Sequence, residues 1–342
     1  MTTFELFAGC GGLAKGVELA GFKHAGLLEI NAQACESLRA NFKPSLVHEA
    51  DARTFDFSAY AGVDLVTGGP PCQPFSVGGL ARGYDDTRDM FPQAARAVAE
   101  MGPRGFMFEN VGGLLRPKFR AYFSYVLDRL RFPECAAWAN EPWEKHAARL
   151  RSIAEGRVKY TGLRYKVDFH RFDAADYGVP QFRHRVFIVG LREDVQAEWT
   201  WPEPTTPDDA HRITLGEALE GVPDPRDPAN DIPDNFFRGG ARTYPGHTGS
   251  PLDAPSKTIK AGAHGVPGGE NMIRFPDGSL RYMSVYEAKL VQTFPPDFVV
   301  TGAWGEALRQ IGNAVPVRLA QIVARQMRRV LEADARSRRA SR

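Results

Sequence analysis

The chain has 342 residues, with 43 basic against 41 acidic side chains and a formal net charge of +2, so bulk charge neither requires nor excludes a polyanionic partner. Hydrophobic residues at 43% and charged residues at 25% fit a folded protein of one large or two ordinary domains and exclude a largely disordered chain. No run approaches the roughly 18 apolar residues that span a bilayer, and MTTFELFAG lacks a basic start before an apolar stretch, so neither membrane insertion nor secretion is expected.

Residues 4–7 read as a strand, followed by a glycine cluster and a helix over 13–20. A strand over 26–30, a helix reaching 41, and strands at 46–49, 63–66 and 105–108 follow. This alternation predicts an α/β fold, with right-handed crossovers and a mostly parallel twisted sheet covered by helices on both faces. Ligands of such sheets bind at the carboxyl ends of the strands. Residues 116–163 read as a charged, helical insertion with helices at 120–130 and 143–153. Strands at 165–172 and 186–191 predict a hairpin at one sheet edge, joined through 178–184. Ten of the 25 prolines fall in 200–257, which disfavours regular helices and central strands and predicts a loop-rich second domain. Helical periodicity returns at 285–292, 306–309 and 318–331, and Arg336, Arg338, Arg339 and Arg342 read as a solvated, frayed tail in preference to one that touches phosphates.

The cysteines at 10, 35, 72 and 135 include no CxxC pair, which points to reduced thiols and no metal. Gly9, Gly11 and Gly12 make a turn between the first strand and first helix that a ligand can approach closely, but without the spacing of a dinucleotide fingerprint. Glu29, 20 positions beyond Gly9, stands where a ribose diol is held, and Asp51 stands where an adenine amino group would donate. The expected ligand is therefore adenosyl. Cys72 lies in Gly68-Gly69-Pro70-Pro71-Cys72-Gln73-Pro74-Phe75-Ser76, directly after the fourth strand, and the prolines aim its thiol rigidly, as a nucleophile requires. Glu109 in Glu109-Asn110-Val111 ends the fifth strand, where partial desolvation would keep a carboxyl protonated as an acid or donor. Arg183 and Arg185, at alternate positions of an extended segment, point the same way and suit a carbonyl oxygen, a carboxylate or a phosphate.

Taken in order, FELFAGCGGL, GGPPCQPFS, ENV, GVPQFRHRVFIVG and Gly312-Asn313-Ala314-Val315-Pro316 resemble the motif set of DNA (cytosine-5) methyltransferases of the bacterial restriction-modification or orphan type. The resemblance implies a Rossmann-like S-adenosylmethionine-dependent domain over 1–194 plus 305–342, a smaller target-recognition domain over 195–280, and a connecting segment over 281–304. It makes Cys72 the thiolate that attacks carbon 6 of cytosine, Glu109 the donor to ring nitrogen 3, and Arg185 with Arg183 the holders of the carbonyl oxygen. Cofactor contacts carry over to Phe7, Gly9, Gly11, Leu13, Glu29, Ile30, Asp51, Ala52, Pro71, Phe91, Asn313 and Ala314. DNA contacts carry over to Gln73 and Ser76, to Arg82 and Arg88 in a loop that closes over the duplex, and to Thr258 and Lys260 near the end of the recognition domain.

The target base would be rotated out of the duplex before reaction. A monomer in the bacterial cytoplasm, associated with the nucleoid and acting separately from any cognate restriction endonuclease, completes the expectation. An RNA cytosine-5 methyltransferase and a DNA-binding protein without turnover are the competing readings. Ala50-Asp51-Ala52 in place of Gly-Asp-Ile, Asp89 where glycine is frequent, and the long 116–163 stretch depart from the family pattern.

Overall fold

The computed structural model describes residues 1–71, 89–243, 248–261 and 271–340. Its first half runs β1 (Thr2–Leu6), α1 (Gly12–Leu19), β2 (Lys23–Glu29), α2 (Ala32–Asn41), β3 (Val47–Glu49), β4 (Leu65–Gly68), α3 (Phe91–Met101) and β5 (Gly105–Val111). Next come α4 (Arg120–Arg131), α5 (Trp143–Ala154), β6 (Tyr165–Asp173) and β7 (His184–Arg192). These strands form one seven-stranded sheet in the order β3-β2-β1-β4-β5-β7-β6. The five strands β1 to β5 are parallel, whereas β7 runs antiparallel to both β5 and β6. The α/β fold and the edge hairpin are therefore as expected from the sequence.

Side-chain alternation along each strand sends alternate residues to the two faces of the sheet. Phe4, Leu6, Val66, Phe106 and Phe108 enter one apolar cluster with residues of α3, α4 and α5, so the 116–163 insertion packs on that face. Leu65, Met107, Phe187 and Val189 enter a second cluster with Leu13 and Val17 of α1 and with α9 (Val317–Ala340) on the other face. Gly16 lets α1 and α9 meet: a Cβ there would stand 2.5 Å from Ala320 Cβ and 2.6 Å from Val317 O.

The proline-rich stretch holds a single four-residue helix, α6 (Leu215–Ala218), among the described residues of 200–249, closed by a Thr214–Glu217 capping box. β8 (Ser250–Pro251), β9 (Met272–Arg274) and β10 (Leu280–Tyr282) make a small sheet in the order β10-β9-β8. Beyond it, α7 (Val285–Val291) and α8 (Trp304–Asn313) share a third apolar cluster with Cys35, Leu38 and Phe42 at the α2 end of the first half.

The frayed arginine tail is a correction. The last helix extends to Ala340, because Arg338 bridges Asp334 at 2.8 Å and Asp194 at 3.0 Å, and buried Asp334 also binds Arg104 at 2.8 Å. Arg342 lies outside the described residues.

Candidate active site

The β1–α1 turn carries unusual backbone geometry for a close ligand. Phe7 and Gly9 have φ of 54° and 55°, left-handed values that a non-glycine residue such as Phe7 adopts only under constraint. A Cβ on Gly9 would meet nothing within 4 Å among the described residues, so no described side chain fills the space over the turn. Gly11 and Gly12 are crowded instead: a Cβ on Gly11 would touch Phe42, and one on Gly12 would come within 2.5 Å of Val315 O and 3.2 Å of Phe294. Leu13 is buried behind the turn in the α1–α9 cluster.

Glu29 closes the turn from the end of β2. Its Oε2 accepts from Gly9 N at 2.8 Å, and its Oε1 accepts from Ile30 N at 3.0 Å and Asn31 N at 2.8 Å. Three amides on a carboxylate with about four acceptor sites leave room for one further donor. Ile30, next to it, is 63% exposed, an apolar surface beside a carboxylate. Asp51 follows β3, its Oδ1 accepting from Arg53 N at 2.8 Å and its Oδ2 paired with Arg53 Nη1 at 2.9 Å, and these contacts hold its pKa below the usual value. Ala52 is buried behind it. Phe91 begins α3 with its ring buried in the first apolar cluster. Asn313 ends α8 in an exposed position, and Ala314 beside it is largely buried.

Cys72, Gln73, Ser76, Arg82 and Arg88 lie outside the described residues. The chain is fixed on both sides of them. Asn110 Nδ2 donates to Pro70 O at 2.9 Å, and Met90 N donates to Pro71 O at 3.1 Å. Asn110 is thus a positioning residue to which the sequence reading gave no role of its own. The three described cysteines make poor nucleophiles, since burial pushes the thiols of Cys10 and Cys35 up to about 12 and raises that of Cys135.

Glu109, at the carboxyl end of β5, pairs through Oε1 with Arg185 Nε at 2.6 Å. Burial raises its pKa against the pull of Arg185 and Arg183. A Cβ on Gly69 would lie 3.5 Å from its Oε2, so the second carboxyl oxygen faces the Gly-Gly-Pro-Pro segment that leads to Cys72. Arg185 also donates from Nη1 to His184 O at 2.8 Å, and its Nη2 has no partner among the described residues. Burial lowers the Arg185 pKa, partly offset by Glu109.

Arg183 does not share this role, which corrects the expectation that the two arginines reach one oxygen. It is fully buried, with Nη1 donating to Ile259 O at 2.9 Å and Gln181 Oε1 at 3.4 Å, and Nη2 to Gly312 O at 2.7 Å and Ala314 O at 2.9 Å. Four of its five donors are spent, and only Nε lacks a partner. Arg183 therefore buckles the Thr258–Lys260 stretch to the segment that bears Asn313. Thr258 spends its hydroxyl on Phe182 O at 2.7 Å, while Lys260 is exposed nearby. Two further residues escaped the sequence reading. Phe294 backs the glycine turn at Gly12, and Arg309, bidentate to Glu306 at 2.7 and 2.6 Å, acts electrostatically on Glu29.

Among the described residues no group of three or more His, Cys, Asp or Glu side chains is placed to hold a metal ion, and no helix is long and apolar enough to cross a membrane. The glycine turn, Glu29, Gly69 and Glu109 lie at the carboxyl edge of the parallel strands, where α/β sheets bind ligands.

Comparison with known proteins agrees with this geometry. The chain is 32% identical over 351 residues to the Type II methyltransferase M.NgoMIV of Neisseria gonorrhoeae, covering 97% of this chain and 99% of that protein. It is 32% identical over 345 residues to the Type II methyltransferase M.AplI of Arthrospira platensis, covering 97% and 87%. The fold is similar to that of a solved DNMT2 variant from Spodoptera frugiperda, with a TM-score of 0.65, 15% identity, and coverage of 97% and 99%. The family model described as C-5 cytosine-specific DNA methylase matches residues 1–132, 153–248 and 243–329. With a glycine turn, an edge carboxylate–guanidinium pair and full-length relatives in agreement, the chain belongs to the C-5 cytosine-specific DNA methylase family.

Proposed function

We propose that this DNA cytosine-5 methyltransferase acts on a cytosine rotated out of a short, specific duplex sequence, with S-adenosylmethionine as donor and Cys72 as nucleophile. The observation that carries this reading is the Glu109–Arg185 pair, 2.6 Å apart at the carboxyl edge, with the second carboxyl oxygen facing Gly69, three residues before Cys72.

The residues present fit the donor. The open cradle at Gly9, the spare acceptor site on Glu29 and the exposed apolar Ile30 suit a sugar flanked by an aromatic base. Phe7, Gly11, Leu13, Asp51, Ala52, Pro71, Phe91, Asn313 and Ala314 complete the proposed binding set. When bound, S-adenosylmethionine supplies an electrophilic methyl group on a sulfonium.

Cytosine carbon 5 is a weak nucleophile, and the protein must enrich it. Cys72 does so by adding its thiolate to carbon 6, forming a sulfur–carbon bond and moving electron density toward carbon 5 and ring nitrogen 3. Glu109, whose pKa burial raises against the pull of Arg185, is assigned as the donor to nitrogen 3 where that charge develops. Arg185 orients Glu109 through Nε and offers Nη2 to the carbonyl oxygen of the base. After methylation, a base removes the proton of carbon 5, the sulfur–carbon bond breaks, and Cys72 is regenerated as thiolate.

We assign residues 195–280 to target recognition, 281–304 to a connection, and 1–194 with 305–342 to catalysis. Gln73, Ser76, Arg82, Arg88, Thr258 and Lys260 are proposed to meet DNA. The two full-length relatives are named Type II methyltransferases, which supports a cytoplasmic modification enzyme that protects DNA from a separate endonuclease. The test is label transfer from donor to duplex DNA and to transfer RNA. The wild-type chain is expected to label only DNA, and Cys72→Ser to lose at least about 1,000-fold in rate while binding donor within about threefold. Near-normal turnover in the serine variant, or preferential labelling of RNA, would overturn the reading.

A further inference from the structure

The arginines of α9 divide into two sets. Arg318, Arg328 and Arg338 are spent inside the fold: Arg318 Nε donates to Tyr177 O at 3.1 Å, Arg328 binds Glu332 at 2.7 Å and Ala20 O at 3.2 Å, and Arg338 binds Asp334 and Asp194. Arg325, Arg329, Arg336 and Arg339 are exposed, and none makes a side-chain hydrogen bond or ion pair among the described residues. They recur at intervals of four, seven and three residues, which places them within a sector of about 80° on a helix of 3.6 residues per turn. Val323, Ala324, Met327, Val330, Leu331 and Asp334 occupy the opposite, buried side.

The four positions span 14 residues, about 21 Å of straight helix axis. α9 leaves the proposed donor pocket at Ala314–Val317 and ends where Asp334 binds Arg104, the residue before β5. The row therefore runs from the carboxyl edge of the sheet toward its amino edge, along the outside of the molecule. Glu332 is the one carboxylate on the same line; Arg328 binds it, and Arg336 acts on it electrostatically.

A merely solvated helix face would gain from alternating charges. Arg325 and Arg329, four apart with like charge, instead disfavour the helix. In a chain with net charge of only +2, gathering cations in a straight row creates a positive local field along one exposed helix face. We propose that this row is a second, sequence-independent docking surface for the phosphate backbone of duplex DNA, separate from the cleft that takes the target base. Guanidinium forks match phosphate oxygens in pairs. A duplex carries about one charge per 1.7 Å of axis, so a 21 Å row faces about a dozen phosphates. The proposal rests on DNA being the substrate, and it adds a surface that holds neighbouring duplex while the enzyme searches.

The test uses the full-length chain carrying Arg325→Gln, Arg329→Gln and Arg336→Gln together, none of which belongs to the proposed catalytic or cofactor set. The probe is an alternating A·T duplex of about 30 base pairs; without cytosine, it offers no target base. At low salt the triple variant is expected to bind this probe at least about tenfold more weakly. Its plot of log affinity against log salt should be shallower by about 2 to 3, near 0.9 for each phosphate that the variant no longer neutralises. The maximal rate of label transfer to saturating unmethylated genomic DNA should stay within about twofold of wild type. The corresponding triple lysine variant should keep the wild-type slope. An unchanged slope and affinity in the glutamine variant would overturn the proposal, as would an unchanged slope with a melting temperature lowered by several degrees. Loss of polyglutamate binding with duplex binding intact would overturn it in favour of an acidic protein partner. Absence of label transfer in wild type and variant alike would instead contradict the catalytic reading.

Discussion

Arg183 and Arg185 stand two positions apart and do opposite things. Among the described residues Arg185 makes no hydrogen bond through Nη2 beside its carboxylate partner, whereas Arg183 gives both Nη atoms to the fold, tying Ile259 to Gly312 and Ala314. Strand alternation predicts that both side chains point the same way, but it carries no information on carbonyls brought in from residues more than 70 positions away. Glu5 shows the same limit. It sits inside FELFAG, fully buried, accepting from Thr67 Oγ1 at 3.0 Å, with Oε1 lacking a partner. Burial raises its pKa from 4.5 to about 8, against the lowering effect of Thr67 and the Ala14 backbone. The folded chain therefore retains a proton that the unfolded chain releases near 4.5, so this group favours folding fully below about 4.5 and loses that contribution as pH rises toward 8. Glu5→Gln removes the dependence and leaves every other titrating group in common. The melting temperature of Glu5→Gln relative to wild type is expected to rise by at least several degrees between pH 5 and pH 8.5, and then level off. Parallel curves across that range would contradict the assignment.

The contact of α1 with α9 joins the start of the chain to its end. It depends on Gly16, where a side chain would collide with Ala320 and with the backbone at Val317. Gly16→Val is expected to destabilise the protein by roughly 1 to 3 kcal/mol or more through overpacking, read as a lower urea midpoint with an unchanged slope. An unaltered midpoint would mean that α9 can shift away from α1 without loss. Local elements were legible because their periodicity is local: the helices expected at 120–130 and 143–153 lie at Arg120–Arg131 and Trp143–Ala154. The end of α9 was misread because Arg338 looks solvated until Asp194 approaches it from elsewhere in the chain, beside Asp334 one turn earlier in the same helix. Strand β4 lies two residues later than expected, at Leu65–Gly68, so that its carboxyl end runs directly into Gly69-Pro70-Pro71.

The chain leaves the seven-stranded sheet after β7, builds a proline-rich region and a small sheet, and returns through α8 to bring Ala314 and Val315 against the glycine turn at Gly12. The motifs told which segments meet, because glycine turns, strand ends and Asn313 carry chemistry at recognisable spacings. They could not reveal the buckles that hold the return, such as Arg183 on Gly312, or Ser37 on Gln310 Oε1 at 2.7 Å, because these join residues 129 and 273 positions apart. In the function proposed above, this scaffolding serves one bond between Cys72 and carbon 6 of a cytosine. The most direct measurement of that bond uses long duplex DNA in which cytosine is replaced by 5-fluorocytosine, incubated with the wild-type chain and S-adenosylmethionine and resolved on denaturing gels. The fluorine cannot leave as a proton does, so the predicted result is a stable adduct of one chain per trapped base, dependent on the donor and absent with Cys72→Ser. A chain that methylates ordinary DNA under the same conditions yet forms no adduct would contradict the account.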